Sequence, residues 1–478
     1  MKIKIRNLGP IRDEAVFELK PLTIFIGPNN SGKTWLAYTL AAIFGIFGLR
    51  QFTDEERIVS IPSAYPPLAE AIDTLLNTGL ASINIYQFAE TYGEKYFNDI
   101  VSCVKKDLAG FIGTSRVAFS TLQMSIELQE MREVFLQHIL DTTFHASIGL
   151  NKLKGDGAYE KPTFRIRKQK GQEKLDIYIT FENQTESQLP RNIIEERIIW
   201  YIFRTLHHAL FSDVIIQLTE RTLLSVLPLP LKRTKLTEEI LTYITNQSEE
   251  SHNGTLPRPV SQYLSFTIDV PEIGSAEMAS RKQQIEKNAQ IQTYLDLADL
   301  LETHILDGSV GFSTPEPGPS REILFYPTQC TSPLELAAAS SMVKELTPLV
   351  FHLRYFAQPN ELLVIDEPEM NLHPKAQVQM LELLAMLVNA GINVLVTTHS
   401  PYMIDHLGNI TKAYQHSEKE RIQQEFYLQD SRAFIAENNV SMYFIGKGTI
   451  QDTLHDEELD WDTFGDVSDR LNEIYFSL

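Results

Sequence analysis

Cysteine and long hydrophobic runs are both scarce in this sequence of 478 residues. Cys103 and Cys330 are its two cysteines. Two isolated thiols build neither a disulfide framework nor a cysteine-rich metal site, which fits a reducing environment. The longest apolar stretch, residues 35–49, is too short to span a bilayer. Residues 1–6 alternate like a strand and lack the apolar core of a signal peptide, so we expect a cytoplasmic protein without membrane contact.

Basic residues are also fewer than acidic residues. The 42 lysines and arginines are outnumbered by 62 acidic residues, which gives a net charge of −20 and argues against a protein that coats nucleic acid. The densest basic segment is residues 161–174, where Arg165, Arg167, Lys168 and Lys170 alternate with apolar residues before a glycine turn. This pattern predicts a β-hairpin with one basic face. The simpler interpretation of this basic face is a solvated surface. The more specific interpretation is a binding site for nucleic acid or an acidic partner protein.

One short motif stands out against these absences. The string GPNNSGKT directly follows an apolar run at residues 22–26, which predicts a strand, a phosphate-binding loop and a helix. Glycine is needed in such a loop because its backbone N–H groups turn inward around phosphates, where a Cβ would obstruct them. Lys33 is expected to reach the β- and γ-phosphates of ATP, and Thr34 to offer its hydroxyl to Mg²⁺. The predicted nucleotide-binding residues are Gly27, Pro28, Asn29, Asn30, Ser31, Gly32, Lys33 and Thr34.

A second motif, LLVIDEPE at residues 362–369, is an apolar strand that ends in two carboxylates. The carboxyl ends of strands in α/β sheets are where ligands bind. We therefore expect Asp366 to hold Mg²⁺ through water and Glu367 to polarise the attacking water. A solvated strand end is the alternative for this motif taken alone.

A third apolar strand, within residues 391–400, ends in His399. A histidine at a strand tip beside a phosphate site can donate a hydrogen bond to the γ-phosphate and so detect it. The alternative is a histidine satisfied inside the core. The predicted catalytic set is Glu367, His399 and Lys33.

The order of these three motifs resembles that of the ABC-type ATPases. The strings IDEPEMNLHP and TTHSPYMI look like the SMC, RecF and OLD branch of that family, and the resemblance covers about the first fifty residues and roughly residues 301–407. Heptads sustained over hundreds of residues are absent, which excludes the long coiled-coil arm of SMC proteins.

The resemblance implies a signature segment at a helix N-terminus, which in these ATPases contacts the γ-phosphate bound by a partner subunit. Residues 336–343 occupy the corresponding place, with Ser340 and Ser341 as the polar element and Met342 where a glycine is expected. An ordinary serine helix cap is the alternative.

The resemblance also implies a Q-loop, and residues 215–222 are similar to that segment. Gln217 or Glu220 is expected near Mg²⁺ and the attacking water, with Gln217 as the predicted metal ligand. Arg221 is expected to meet phosphate. The sequence leaves open which of Gln217 and Glu220 acts.

The predicted fold class is α/β: an ABC-type P-loop ATPase head with a mostly helical insertion domain. The head is assigned to residues 1–50, 213–230 and 301–478. Residues 51–212 form the insertion with the basic hairpin, and residues 231–300 form a second, partly helical insertion.

Four local expectations accompany this division. The pattern predicts turns at residues 62–67, an amphipathic helix near residues 191–210, one helix over residues 276–304 and a strand at residues 425–428.

In size and layout the chain is similar to the stand-alone ATPase subunits of bacterial antiviral systems such as the Septu and PARIS classes. That similarity implies a sensor or scaffold that dimerises on ATP and controls a separately encoded effector, often a nuclease. OLD-type nucleases carry a further metal-dependent domain, but the residues after His399 lack a persuasive set of acidic ligands, so we expect no nuclease domain. A RecF-like DNA repair ATPase, binding DNA across paired heads, is the main alternative. A transporter subunit is the weaker one, because the insertions are large.

Overall fold

The computed structural model describes residues 1–54, 58–149, 152–153, 159–160, 163–180, 191–222, 257–270, 273, 275–313, 321–454 and 473–475. The chain divides into two compact units. Unit 1 comprises residues 1–2, 42–105 and 124–212, and unit 2 comprises residues 3–41, 106–123 and 213–478. The domain boundaries expected from the sequence stay a prediction.

The strands and helices are numbered along the chain. The strands are β1 (Lys2–Arg6), β2 (Ala15–Glu18), β3 (Leu22–Ile26), β4 (Leu80–Asn84), β5 (Gln123–Glu127), β6 (Phe144–Gly149), β7 (Lys152–Leu153), β8 (Tyr159–Glu160), β9 (Thr163–Lys168), β10 (Lys174–Thr180), β11 (Val214–Gln217), β12 (Gly308–Phe312), β13 (Ile323–Pro327), β14 (Leu334–Glu335), β15 (Leu362–Asp366), β16 (Asn393–Thr398), β17 (Val440–Gly446) and β18 (Thr449–Asp452). The α-helices are α1 (Lys33–Phe44), α2 (Ile46–Phe52), α3 (Ile61–Ala64), α4 (Pro66–Thr78), α5 (Ile85–Ile112), α6 (Met131–Asp141), α7 (Arg191–Leu210), α8 (Arg258–Asp269), α9 (Ser275–Lys287), α10 (Ala289–Leu300), α11 (Ser341–Phe351), α12 (Pro374–Asn389), α13 (Pro401–Gln415) and α14 (Lys419–Ile422). Short π-helical and 3-10 turns occupy Leu301–Leu306, Leu336–Ala338, His352–Phe356, Gln423–Glu425, Ser431–Ala433 and Glu437–Asn439.

Unit 2 is built around a sheet with the strand order β11-β15-β16-β3-β17-β18. Neighbouring strands run parallel from β11 to β17, and β18 is antiparallel. Every residue of β3 and β15 is buried, as expected for strands covered on both faces. Because β16 lies between β15 and β3, the carboxyl ends of these three strands meet at one edge of the sheet. The α/β fold class is confirmed.

The core of unit 2 packs helices against this sheet. Helix α12 follows β15 and buries most of its length, from Ala376 to Val388. Side chains of α10 and α11 belong to the same apolar cluster, together with those of β3, β15 and β16. The strands that carry the motifs are therefore embedded in a packed core.

Unit 1 contains a four-stranded antiparallel sheet with the order β4-β10-β9-β6. Strands β9 and β10 form the predicted hairpin, and Arg167 is paired with Asp176 across it. Helix α7 begins and ends at the residues that its amphipathic pattern predicts. Its Phe203 ring packs on Phe52 and Tyr65, with centroids 4.7 and 4.9 Å away.

The prediction that the basic residues of the hairpin share one face is wrong for Lys168. This lysine is 1% exposed and points to the same side as Phe164 and Ile166. Its ammonium donates to the carbonyl oxygens of Leu140, Gln169 and Gln172. Because three carbonyls replace water, a buried lysine is tolerated here.

Three local expectations are wrong. Residues 62–64 lie in helix α3 and residues 66–67 begin helix α4, with Tyr65 between them, because a proline is accepted at the first helical positions. Residues 276–304 do not form one helix, since the Asn288 side chain caps a new helix by accepting the N–H of Gln290. Residues 425–428 contain no strand, and a 3-10 turn ends at Glu425.

No single helix in the described part of the chain is long and apolar enough to cross a membrane. Helices α1 and α2 pass that test of length and composition only as a pair, bent by 58°.

Candidate functional site

A cavity of about 840 Å³ lies at the edge of unit 2 where β3, β15 and β16 end. Most of the phosphate-loop residues line it, together with Glu367 and His399. The structure therefore brings the three sequence motifs into one place. The remaining predicted residues Gly27, Pro28, Asp366, Gln217, Ser340 and Ser341 are not among those that line this cavity.

The backbone of the loop after β3 requires glycine at two positions. Gly27 has a φ of 140° and Gly32 a φ of 104°, values that side chains rarely allow. A Cβ on Gly27 would lie 2.1 Å from the carbonyl oxygen of Ile445. Helix α1 starts directly after Gly32, so its N-terminus faces the cavity, as in other phosphate-binding loops.

Lys33 is the buried cation of this loop and is only 5% exposed. Its Nζ donates to the carbonyl oxygens of Gly27 and Pro28, each at 3.0 Å. It also lies 2.8 Å from Nε2 of His399. Burial lowers the pKa of the Lys33 ammonium to about 8, against the opposing effect of nearby carboxylates, Glu367 first.

Asp366 sits at the tip of β15 and is held by hydroxyl groups. Thr34 donates to its Oδ1 at 3.0 Å, and Thr219 donates to its Oδ2 at 2.7 Å. Thr397, the neighbour of Asp366 in the β15–β16 register, also donates to Oδ1. Sequence reasoning missed Thr219 and Thr397. The register of β15 on β16 is the information that places Thr397 here.

Gln217 lies at the tip of β11 and is 3% exposed. Its Oε1 is buried and has no hydrogen-bond partner among the described residues, and the same holds for Oγ of Ser31 in the phosphate loop. An orphaned buried oxygen costs free energy unless a ligand satisfies it. Amide, hydroxyl and carboxylate oxygens are the ligands that Mg²⁺ prefers. Gln217, Thr34 and Asp366 therefore fit a magnesium site.

Glu367 follows β15 in a left-handed backbone conformation, with a φ of 51°. Such a conformation in a residue other than glycine costs about 1–3 kcal/mol and persists only where the surroundings hold it. Its Oε1 lies 3.5 Å from Nε2 of His399, and the side chain keeps 25% of its surface exposed. His399 and the Lys33 ammonium hold the pKa of the Glu367 carboxyl below its usual range. The group is thus an ionised acceptor that faces the cavity.

Glu369 is a further cavity residue that sequence reasoning missed. Its Oε1 accepts the backbone N–H of His399 at 2.5 Å. Burial raises the pKa of the Glu369 carboxyl. The second glutamate of the string DEPE was the sequence signal that could have predicted this residue. Its position two residues after Glu367 brings it under the tip of β16.

Ser340 and Ser341 lie at the start of α11 and are exposed. Oγ of Ser340 accepts the N–H of Val343 at 3.3 Å, which is the cap of that helix. Glu220, the alternative Q-loop residue, is exposed and does not line the cavity.

Arg221 was expected to meet phosphate, and the structure places it elsewhere. It is 2% exposed, and its guanidinium donates to the carbonyl oxygens of Asp366 and Glu367. It also forms a 2.6 Å ion pair with Glu345 of α11. The side chain lies beneath the strand tip and outside the cavity.

A family model described as the AAA ATPase domain matches residues 1–199 and 230–404. The chain belongs to this family. Its members are P-loop, nucleotide-binding ATPases, and the AAA ATPase domain of this chain includes both the phosphate loop and the strands that end in Asp366 and His399. No curated protein matches the chain.

Solved structures similar to this AAA ATPase chain include three SMC heads. One is an SmcHead bound to the C-winged helix domain of ScpA, with 11% identity, a TM-score of 0.35 and coverage of 94% of this chain and 95% of that one. Another is an Smc head with an extended coiled coil bound to the C-terminal domain of ScpA from Pyrococcus furiosus, with 12% identity, a TM-score of 0.34 and 94% of both chains covered. The SMC head from Thermotoga maritima has 10% identity, a TM-score of 0.29 and coverage of 94% and 97%.

Proposed function

We propose that this chain binds ATP with Mg²⁺ and hydrolyses it in the cavity at the sheet edge. The observation that carries the proposal is the convergence of Lys33, Glu367 and His399 on one cavity, directly beside the hydroxyl-bound Asp366. Phosphoryl transfer needs little covalent chemistry from a protein, and positioning with electrostatic stabilisation supplies most of the catalysis. The site offers both.

The residues take separate roles in this reaction. Lys33 exchanges the carbonyl oxygens of its own loop for β- and γ-phosphate oxygens. Glu367, ionised and open to the cavity, accepts a hydrogen bond from the attacking water and orients it. His399, whose backbone Glu369 fixes, contacts the γ-phosphate. Mg²⁺, when bound, would neutralise charge on the phosphates, and Thr34, Asp366 and Gln217 would hold it.

A second copy of the chain is proposed to complete the site. Ser340 and Ser341 are exposed and stand outside the cavity of their own chain, so they are available to a nucleotide on another protomer. A helix N-terminus binds phosphate through its N–H groups and dipole. Hydrolysis removes the γ-phosphate that joins the copies, and the dimer then separates.

The biological role we propose is that of a sensor or scaffold subunit in a bacterial antiphage complex. ATP-dependent dimerisation would control a separate effector such as a nuclease, and the expectation is that this chain does not itself cleave nucleic acid. The resemblance of motifs and layout and the net charge of −20 support this role over DNA coating. The RecF-like alternative draws support from the exposed Arg167 on the unit 1 sheet.

Two assays test these proposals. Purified chain should release phosphate from ATP only when Mg²⁺ is present, and a chain that neither binds nor hydrolyses ATP would overturn the ATPase assignment. The same preparation should leave plasmid DNA, single-stranded DNA and RNA intact under Mg²⁺ or Mn²⁺. Cleavage that disappears in a Glu367→Gln variant would return the protein to the nuclease-bearing class.

A further inference from the structure

The two carboxylate residues at the tip of β15 are held from below by one arginine. Arg221 Nη1 donates to the carbonyl oxygens of Leu218 and Asp366, at 2.5 and 2.9 Å, and Nη2 donates to the carbonyl oxygen of Glu367 at 3.1 Å. The planar, five-donor fork of arginine suits this arrangement, because it reaches several acceptors at fixed angles. The backbone of the proposed water-orienting residue is thus fixed by a side chain that does not line the cavity.

The same arginine is tied to helix α11. Its Nη2 lies 2.6 Å from Oε1 of Glu345, and both side chains are almost completely buried, at 2% and 0% exposure. Oε2 of Glu345 accepts the hydroxyl of Thr222 and, at 3.4 Å, the amide of Asn371. Asn371 belongs to the loop that follows Glu367. Glu345 therefore contacts the β15 loop both through Arg221 and directly.

The left-handed backbone of Glu367 explains why this support matters. Its φ of 51° places the side chain toward the cavity, and a residue other than glycine needs restraint to stay there. The restraint comes from both directions: the N–H of Glu367 donates to the Thr397 carbonyl at 3.0 Å, and its carbonyl accepts from Arg221.

We infer that Arg221 is a positioning residue for ATP hydrolysis: with Glu345 it fixes Glu367 in the orientation that directs the attacking water and links that orientation to helix α11. The inference rests on the proposed ATPase function. It assigns to Arg221 no contact with phosphate, so nucleotide affinity is independent of it.

Arg221→Lys is the informative variant. Lysine keeps the positive charge beside Glu345 but cannot bridge the carbonyl oxygens of Leu218, Asp366 and Glu367 together. We expect kcat to fall about 10- to 100-fold, because small displacements of a positioned group cost that much, while KM and the Kd of a fluorescent ATP analogue stay unchanged. Glu345→Gln should lower kcat in the same way, and the double variant should lose no more than the worse single variant.

Arg281→Lys is the matched control. Arg281 is also buried, at 5% exposure, and its guanidinium donates to the carbonyl oxygens of Leu353, Arg354 and Ala357 in the same unit, away from the cavity. This variant should lower Tm to a similar degree and leave kcat intact. A merely structural role for Arg221 predicts equal kcat losses in both variants at equal loss of Tm, and that outcome would overturn the inference.

The remaining outcomes separate the inference from the function on which it rests. If wild type hydrolyses ATP, Glu367→Gln does not and Arg221→Lys keeps the wild-type kcat, the inference alone fails. If Arg221→Lys instead raises Kd and KM in proportion, Arg221 acts on the nucleotide and the inference also fails. A wild-type chain that binds ATP but hydrolyses none refutes the proposed function together with this inference.

Discussion

Lys33 and His399 are in direct contact, with Nζ of the lysine 2.8 Å from Nε2 of the imidazole. The contact joins the buried cation of the loop after β3 to the imidazole that follows β16. In the proposed reaction both groups contact the γ-phosphate, so we expect ATP to compete with the contact between them.

Lys33→Ala should abolish ATP binding. The ammonium that compensates the β- and γ-phosphates is lost, whereas the groups that it leaves, two loop carbonyls and the His399 ring, can form hydrogen bonds with water instead. Calorimetry with Mg·ATP measures the effect, and Tm should be close to that of the wild type. Lys20→Ala, at a half-buried lysine outside the cavity, is the control and should bind normally. Unchanged affinity in Lys33→Ala would remove the phosphate loop from the account.

Thr219→Val should weaken the response to magnesium. The hydroxyl of Thr219 orients Oδ2 of Asp366, and residues that orient a metal ligand typically contribute 10- to 100-fold to metal affinity. The Mg²⁺ concentration that gives half-maximal phosphate release should rise by about that factor. Thr39→Val is matched to it, since the buried Thr39 hydroxyl donates to the Trp35 carbonyl of α1. Equal magnesium curves for the two variants would contradict the role given to Thr219.

His207 should make unit 1 sensitive to acid. Burial lowers the pKa of His207 to about 4, where Tyr96 and the Gly45 carbonyl contact its two ring nitrogens. The unfolded chain, with its ordinary histidine pKa, then binds more protons than the folded one between about pH 4 and 6.5. The contribution of His207 to the free energy of unfolding is present in full above that window. It is lost as the pH drops through the window, and the total loss is about 3 kcal/mol.

Urea unfolding at pH 7 and pH 4.5 measures this dependence. His207→Gln should be less stable at pH 7 but should lose less on acidification than the wild type. His145→Gln changes an exposed histidine of the same unit and should keep the wild-type slope. An unchanged slope in His207→Gln would show that other groups set the acid response.

Arg167→Glu should weaken binding to nucleic acid or to an acidic partner while the ATPase rate stays unchanged. Arg167 is exposed, and β9 and β10 are the two inner strands of the unit 1 sheet. Deletion of residues 161–181 would therefore damage the unit, whereas the single substitution keeps the backbone pairing of the strands and adds only a like charge opposite Asp176. Arg204→Glu, on the exposed side of α7, is the control. Salt-dependent DNA binding and co-purification with a co-expressed effector are the measurements, and equal binding by both variants would exclude the hairpin as a docking surface.

Much of the site was predictable because its strongest signals are local. The phosphate loop needs a strand before it and a helix after it, and the apolar runs that end in Asp366 and His399 had to be buried strands. Parallel strands align their carboxyl ends, so placing all three motifs at one edge followed from the fold class.

The residues that sequence reasoning missed depend on register and burial. Thr397 reaches Asp366 only because β15 and β16 pair in one register. Arg221 was expected to meet phosphate and Lys168 to lie on the basic face of the hairpin, but each is buried among carbonyl oxygens. Such partners lie far away in the sequence, so no local sequence pattern predicts them.

The rate of phosphate release at saturating Mg·ATP, compared between wild type and Glu367→Gln, tests the central claim most directly. Glutamine keeps the shape of the side chain and removes its capacity as a base. The account predicts a fall of about 10²- to 10⁴-fold with ATP and Mg²⁺ binding intact, and an accumulation of the ATP-bound dimer. A release rate close to that of the wild type would contradict it, because Glu367 would then not orient the attacking water.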